Sequence, residues 1–79
     1  MKGHLCYCNN CDVILIDKNP CDRQPLLEIP ECAVEMSLEK DEDERFFACP
    51  ICHEDNCLID ITSDEQLNHI INIINHGNN

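Results

Sequence analysis

Apolar residues in this chain follow two different periods. Val13-Ile14-Leu15-Ile16 is an unbroken apolar run of strand length and predicts a short, largely buried strand. Asn19-Pro20 is expected to end it, and Pro25 and Pro30 to keep the next stretch extended and irregular. From Val34 the pattern alternates, with Val34, Met36 and Leu38 on one side and Glu35, Ser37 and Glu39 on the other. That is the pattern of a strand with one wet face. Lys40-Asp41-Glu42-Asp43-Glu44 reads as a charged turn and Arg45-Phe46-Phe47-Ala48 as a returning strand, together a hairpin with an acidic tip. Cys57, Ile59 and Ile61 then alternate against Leu58, Asp60 and Thr62, predicting one more strand.

Near the C-terminus the period changes. Leu67, Ile70, Ile71 and Ile74 form one apolar stripe at helical spacing. Ser63 stands three residues before Gln66, as a capping box requires, and Asp64 and Glu65 complement the positive end of the helix dipole. His76 falls in the last turn, and Gly77 is placed to terminate the helix. The stripe either covers the sheet, leaving a monomer, or forms the contact of a helix-mediated homodimer.

At 79 residues there is room for one domain, 1–79, divided into a β region (5–62) and a C-terminal helix (63–77). A chain this short buries roughly 60% of the surface that its unfolded form exposes. Only three residues are aromatic and none is tryptophan, so the core must be aliphatic and thin. Such domains need a disulfide, a metal or a partner, and eight cysteines point to one of the first two. Met1-Lys2-Gly3-His4-Leu5-Cys6 has no apolar leader, and no run is long enough to span a membrane. Met1 is therefore read as the native start, the compartment as cytoplasmic, and the cysteines as metal ligands.

The spacing of the cysteines supports this. A structural zinc site takes four soft donors at tetrahedral angles, commonly as two close pairs. Two intervening residues let a tight turn aim both sulfurs at one point. Cys8-Asn9-Asn10-Cys11 and Cys49-Pro50-Ile51-Cys52 both have that spacing. Asn9 and Asn10 tolerate turn geometry, and Pro50 fixes one backbone angle. Cys8, Cys11, Cys49 and Cys52 are thus the expected ligands of one Zn²⁺.

Over Cys8–Ile16 and Val34–Thr62 the chain resembles the zinc-ribbon and rubredoxin-like families, most specifically at the Cys49-Pro50-Ile51-Cys52 knuckle. The resemblance implies a small metal-stabilised α+β fold. Two knuckles on antiparallel β-hairpins would pinch one metal, here followed by the C-terminal amphipathic helix. Those families usually place glycine soon after the second knuckle cysteine, where this chain has Asp12 and His53. The second knuckle also looks like the opening of a RING finger, but only Cys57, His69 and His76 follow, too few for its ligand set.

Cys6, Cys21, Cys32 and Cys57 remain, either as small buried residues and incidental thiols or as a second metal site. Cys6 could also stand in for Cys8, with poorer spacing. His53 could hydrogen-bond toward a cysteine sulfur. His69 and His76 lie on the polar helix face, and His4 lies in a terminus expected to be mobile.

The formal net charge is −11, from sixteen acids against five basic residues. Four thiolates around one Zn²⁺ would make it more negative still. Direct nucleic-acid binding is disfavoured because it depends on Lys and Arg neutralising phosphates, and adsorption to anionic membranes is disfavoured likewise. A protein partner with a basic surface is the natural counterpart.

Four thiolates close a metal to water and substrate, and neither a nucleophile–base pair nor a glycine-rich phosphate loop is visible. The leading expectation is therefore a non-catalytic zinc-binding interaction module. A rubredoxin-like electron carrier would use iron at the same thiolates. The acidic tip is similar to that of transcript-cleavage factors, whose zinc ribbon presents acidic residues to the RNA polymerase active centre. That likeness implies partner contacts through Asp41, Glu42, Asp43 and Glu44. A DNA-mimicking inhibitor is the remaining alternative, suggested by small size and strong negative charge.

Overall fold

The computed structural model describes residues 1–18 and 24–76. The strand at its centre is β2 (Leu5–Cys8), a segment to which the apolar pattern alone assigns no strand. It lies between β3 (Val13–Ile16) and β8 (Leu58–Ile61), antiparallel to both, and β5 (Val34–Glu35) completes a four-stranded sheet in the order β5-β3-β2-β8. Leu5 stands between Ile16 and Ile61, and Cys8 between Val13 and Leu58.

All four β2 residues are buried, because both faces of the sheet are covered. Alternation along a strand sends neighbours to opposite faces. Leu5 and Tyr7 join Ile14, Leu27, Ile61, Leu67 and Ile70 in one core. Cys6 and Cys8 join Leu15, Met36 and Cys49 in another. The sheet thus separates an aliphatic layer from a sulfur-rich layer.

The aliphatic layer is closed by α1 (Asp64–His76). Its start follows from Ser63 and Gln66: the Gln66 N–H donates to Ser63 Oγ at 3.1 Å, and Gln66 Oε1 accepts from the Thr62 N–H at 3.0 Å. Gln66 Nε2 also donates to the Asp60 carbonyl at 3.0 Å, fastening the helix to the end of β8. Leu67 and Ile70 are buried against the sheet, with Ile71 and Ile74 packed at the margin, so the stripe is core. Gly77 and Asn19-Pro20 lie outside the described residues.

Three sequence expectations are corrected. First, β5 runs parallel to β3, so the sheet is mixed and not built of antiparallel hairpins alone. Second, the run from Val34 is not one strand with Val34, Met36 and Leu38 inward. It breaks at Met36, where the chain leaves the main sheet to form a separate hairpin of β6 (Ser37–Asp41) and β7 (Glu44–Ala48). Met36 is buried, whereas Leu38 is 56% exposed. Ser37 and Glu39 turn partly inward because they bond one another, Ser37 Oγ donating to Glu39 Oε2 at 2.7 Å. Third, Cys57 precedes β8 and packs with Leu58 on the sulfur-rich side, not with Ile61.

A minor ladder pairs β1 (Lys2–Gly3) with β4 (Leu27–Glu28), inside the stretch expected to be irregular. His4 follows it directly. Half-buried, its carbonyl accepting the Asp17 N–H at 2.8 Å, it is held in the structure and is not part of a loose end. Buried Gln24 closes the same end by donating from Nε2 to the carbonyls of Leu5 and Ile61. Among the described residues no helix is long and apolar enough to cross a membrane.

Candidate metal centre

Two turns of matching construction build the centre. The first joins β2 to β3 and the second follows β7. In each, the residue after the second cysteine sends its N–H back to the carbonyl of the first. Asp12 reaches Cys8 at 2.8 Å, and His53 reaches Cys49 at 2.8 Å. Closing so tight a turn requires a left-handed backbone, and Asp12 and His53 have φ of 54° and 61°. Glycine adopts this region without cost, while Asp and His are among the side chains that reach it most often.

Both side chains are also anchored. Asp12 Oδ1 accepts from the Tyr7 hydroxyl. His53 Nδ1 donates to Glu39 Oε2 at 3.0 Å, so His53 turns toward the β6–β7 hairpin and not toward a cysteine sulfur as expected. This pairing raises the His53 pKa and lowers that of Glu39, which also accepts from Ser37.

The turns bring the sulfurs of Cys8, Cys11, Cys49 and Cys52 within 4.8 Å of one another. A zinc–sulfur bond of about 2.3 Å implies about 3.8 Å between tetrahedral sulfurs. Cys8 Sγ and Cys52 Sγ lie 3.8 Å apart. Cys8 and Cys49 are buried, and Cys11 and Cys52 half-buried. Tetrahedral, all-sulfur geometry of this kind suits Zn²⁺ or iron.

Backbone donors favour negative charge on Cys52 and, against burial, on Cys8. The Glu54 N–H is the largest influence on Cys52, pulling its thiol down to about 6. Burial pushes Cys8 up, partly opposed by the N–H groups of Cys11 and Asn10. Burial and the neighbouring thiols push Cys11 up. Four thiols this close cannot all ionise unaided, since each thiolate disfavours the next. A bound dication removes that conflict.

Cys57 adjoins these four sulfurs. Its Sγ is 3.4 Å from Cys8 Sγ and 3.9 Å from Cys52 Sγ. The pattern of paired knuckles gives no reason to place it there; only its closeness in sequence to the second knuckle hints at it. Cys6 is buried one residue-pair along β2, its thiol driven up to about 12 chiefly by burial. Cys32 is exposed, and Cys21 lies outside the described residues. The second-site expectation includes Cys21 and so lies partly outside the described residues; among those described, Cys57 adjoins the first cluster.

His69 and His76 are exposed on α1. At the hairpin tip, Asp41 pairs with Glu44 across a two-residue loop, Glu42 and Asp43. Glu42 has φ 53°, the positive value such short loops require. All four carboxylate residues are exposed, but Lys40 and Arg45 pair immediately behind them and offset half of their charge. No protein-family model, curated protein or solved structure matches this chain.

Proposed function

We propose that this protein is a non-catalytic interaction module of zinc-ribbon type, folded around one Zn²⁺ held by Cys8, Cys11, Cys49 and Cys52. The observation that carries the reading is the convergence of four sulfurs from two matched turns within 4.8 Å. With all four donors thiolates, the ion has no open position for water or substrate, and its contribution is to folding. Structural zinc contributes on the order of 10–16 kcal/mol of apparent binding free energy in small peptides, more than a thin aliphatic core supplies. Zinc is preferred to iron because few aromatic side chains surround the centre to shield a redox site, Phe47 being the one packed in the sulfur-rich layer.

The partner in this reading is a protein with a basic surface. Net charge of −11 and exposed carboxylates at the hairpin tip support it. The direct test is elemental analysis of the purified protein, followed by chelation. One zinc per chain and collapse of amide dispersion on metal removal are expected, and Cys49→Ser should reproduce the collapse. A metal-free protein with a dispersed spectrum would overturn the proposal, and a red protein containing iron would transfer it to electron carriage.

A further inference from the structure

Four sulfurs satisfy a tetrahedral ion, yet a fifth stands against them. Cys57 Sγ is closer to Cys8 Sγ, at 3.4 Å, than Cys52 Sγ is, at 3.8 Å. The contact is built into the fold: the Asn9 N–H donates to the Cys57 carbonyl at 3.1 Å, clamping Cys57 against the first knuckle. Cys57 is half-buried, whereas Cys8 is fully buried. A small oxidant therefore meets Cys57 before Cys8.

We propose that Cys57 is an oxidation site whose product is a Cys8–Cys57 disulfide, formed at the expense of the metal centre. The inference rests on the metal reading above, in which Cys8 is a bound thiolate. The oxidant is a hydroperoxide. The Cys57 thiol gives up its proton and its sulfur attacks the peroxide; the O–O bond breaks, leaving Cys57 as a sulfenic acid and the oxidant as an alcohol, or water in the case of hydrogen peroxide. The Cys8 thiolate then attacks Cys57 Sγ. The sulfur–sulfur bond forms, the sulfur–oxygen bond breaks, and the departing hydroxide takes a proton to become water. Two thiol sulfurs have lost two electrons to one peroxide.

The sulfurs must close from 3.4 Å to about 2.05 Å, a movement of side chains on adjoining segments. Cys8 can no longer serve as a full thiolate donor, so the ion keeps three of its four ligands and is released. Because metal and fold are coupled, a peroxide signal becomes a loss of structure.

The test uses the full chain loaded with zinc, its content measured first, and treated with one equivalent of hydrogen peroxide. Zinc release is followed with a chromophoric chelator, and the product is digested with trypsin and sequenced by tandem mass spectrometry. In the wild type, zinc is released and a Cys8–Cys57 link joins peptide 3–18 to peptide 46–79. Cys57→Ala, or Cys57→Ser if the smaller side chain impairs folding, binds zinc but loses the link and retains the metal over the same interval; Cys32→Ala behaves as wild type. Equal release from the Cys57 variants, or Cys57 recovered outside any disulfide, overturns the inference, and a Cys52–Cys57 link overturns the choice of Cys8. A chain that takes up no zinc defeats the metal reading instead, and peptide mapping still decides whether Cys57 couples to Cys8.

Discussion

Asp12 and His53 occupy the same place in two turns far apart in sequence, each with a left-handed backbone and each returning its N–H to a cysteine carbonyl at 2.8 Å. The consequence for substitution is specific. Asp12→Val places a β-branched side chain where it is strained, costing about 1–2 kcal/mol, and removes the acceptor of the Tyr7 hydroxyl as well. His53→Gly relieves the backbone and should leave metal affinity intact, whereas His53→Val should weaken it. Competition with a zinc chelator, together with denaturant midpoints of the loaded proteins, measures both effects.

Tyr7 is the only tyrosine in the chain, so its ionisation can be followed by phenolate absorbance without interference. The hydrogen bond to Asp12 is the main cause, ahead of burial, that pushes its pKa up to about 12. A free phenol titrates near about 10. The raised value means that the native state holds this proton where the unfolded chain has lost it. The stabilisation is therefore complete below pH about 10 and disappears as pH rises toward about 12. Asp12→Asn should bring the titration down, and Tyr7→Phe should cost about 1–2 kcal/mol at neutral pH. A midpoint of about 10 in the folded wild type would contradict the Tyr7–Asp12 bond.

Ile70 and Ile73 lie on different sides of α1, one 6% and the other 43% exposed. Ile70→Asp buries an unpaired carboxylate among Leu5, Tyr7 and Ile61 and should destabilise the protein by about 3 kcal/mol. Ile73→Asp should change stability little. If α1 mediated a dimer instead, Ile70→Asp would stay folded and elute from a sizing column as a smaller species.

Neutralising Asp41, Glu42, Asp43 and Glu44 together to Asn and Gln should leave the fold intact, since all four are exposed. It should unmask the Lys40–Arg45 pair directly behind them. The wild type should bind neither DNA nor RNA at about 50 mM salt, where electrostatic association is strong. Weak, salt-sensitive binding gained only by the quadruple variant would show that the tip screens those two cations. Micromolar binding by the wild type would overturn the protein-directed reading.

The candidate site was legible because Cys-x-x-Cys spacing is a property of a local turn, and local turns survive any tertiary arrangement. The helix was legible for a similar reason, since Ser63, Gln66 and the 67–74 stripe are all neighbours on one coil. β2 was obscured because Cys6 and Cys8 act at once as buried strand residues and as sulfur donors or their neighbours, so its alternation with Leu5 and Tyr7 does not look apolar against polar. Val34–Leu38 misled for the opposite reason. Its alternation is real in sequence, but the chain changes sheets at Met36, and the polar side chains of Ser37 and Glu39 have partners that reward turning inward. Nothing local marks such an exchange, and nothing local brings Cys57 to Cys8.

The four residues of β2 also fix how the two ends of the molecule communicate. Leu5 and Tyr7 answer to the helix, Cys6 and Cys8 to the sulfur cluster, and a slip of one residue would send each pair to the wrong side. An ion bound on one face and the helix docked on the other would act on a single backbone segment, and any free energy with which one favoured the other would be returned in equal measure. Slow hydrogen exchange in α1 would then gauge metal occupancy. Conversely, substitutions beneath the helix can tune metal affinity from the opposite side of the sheet without touching a sulfur.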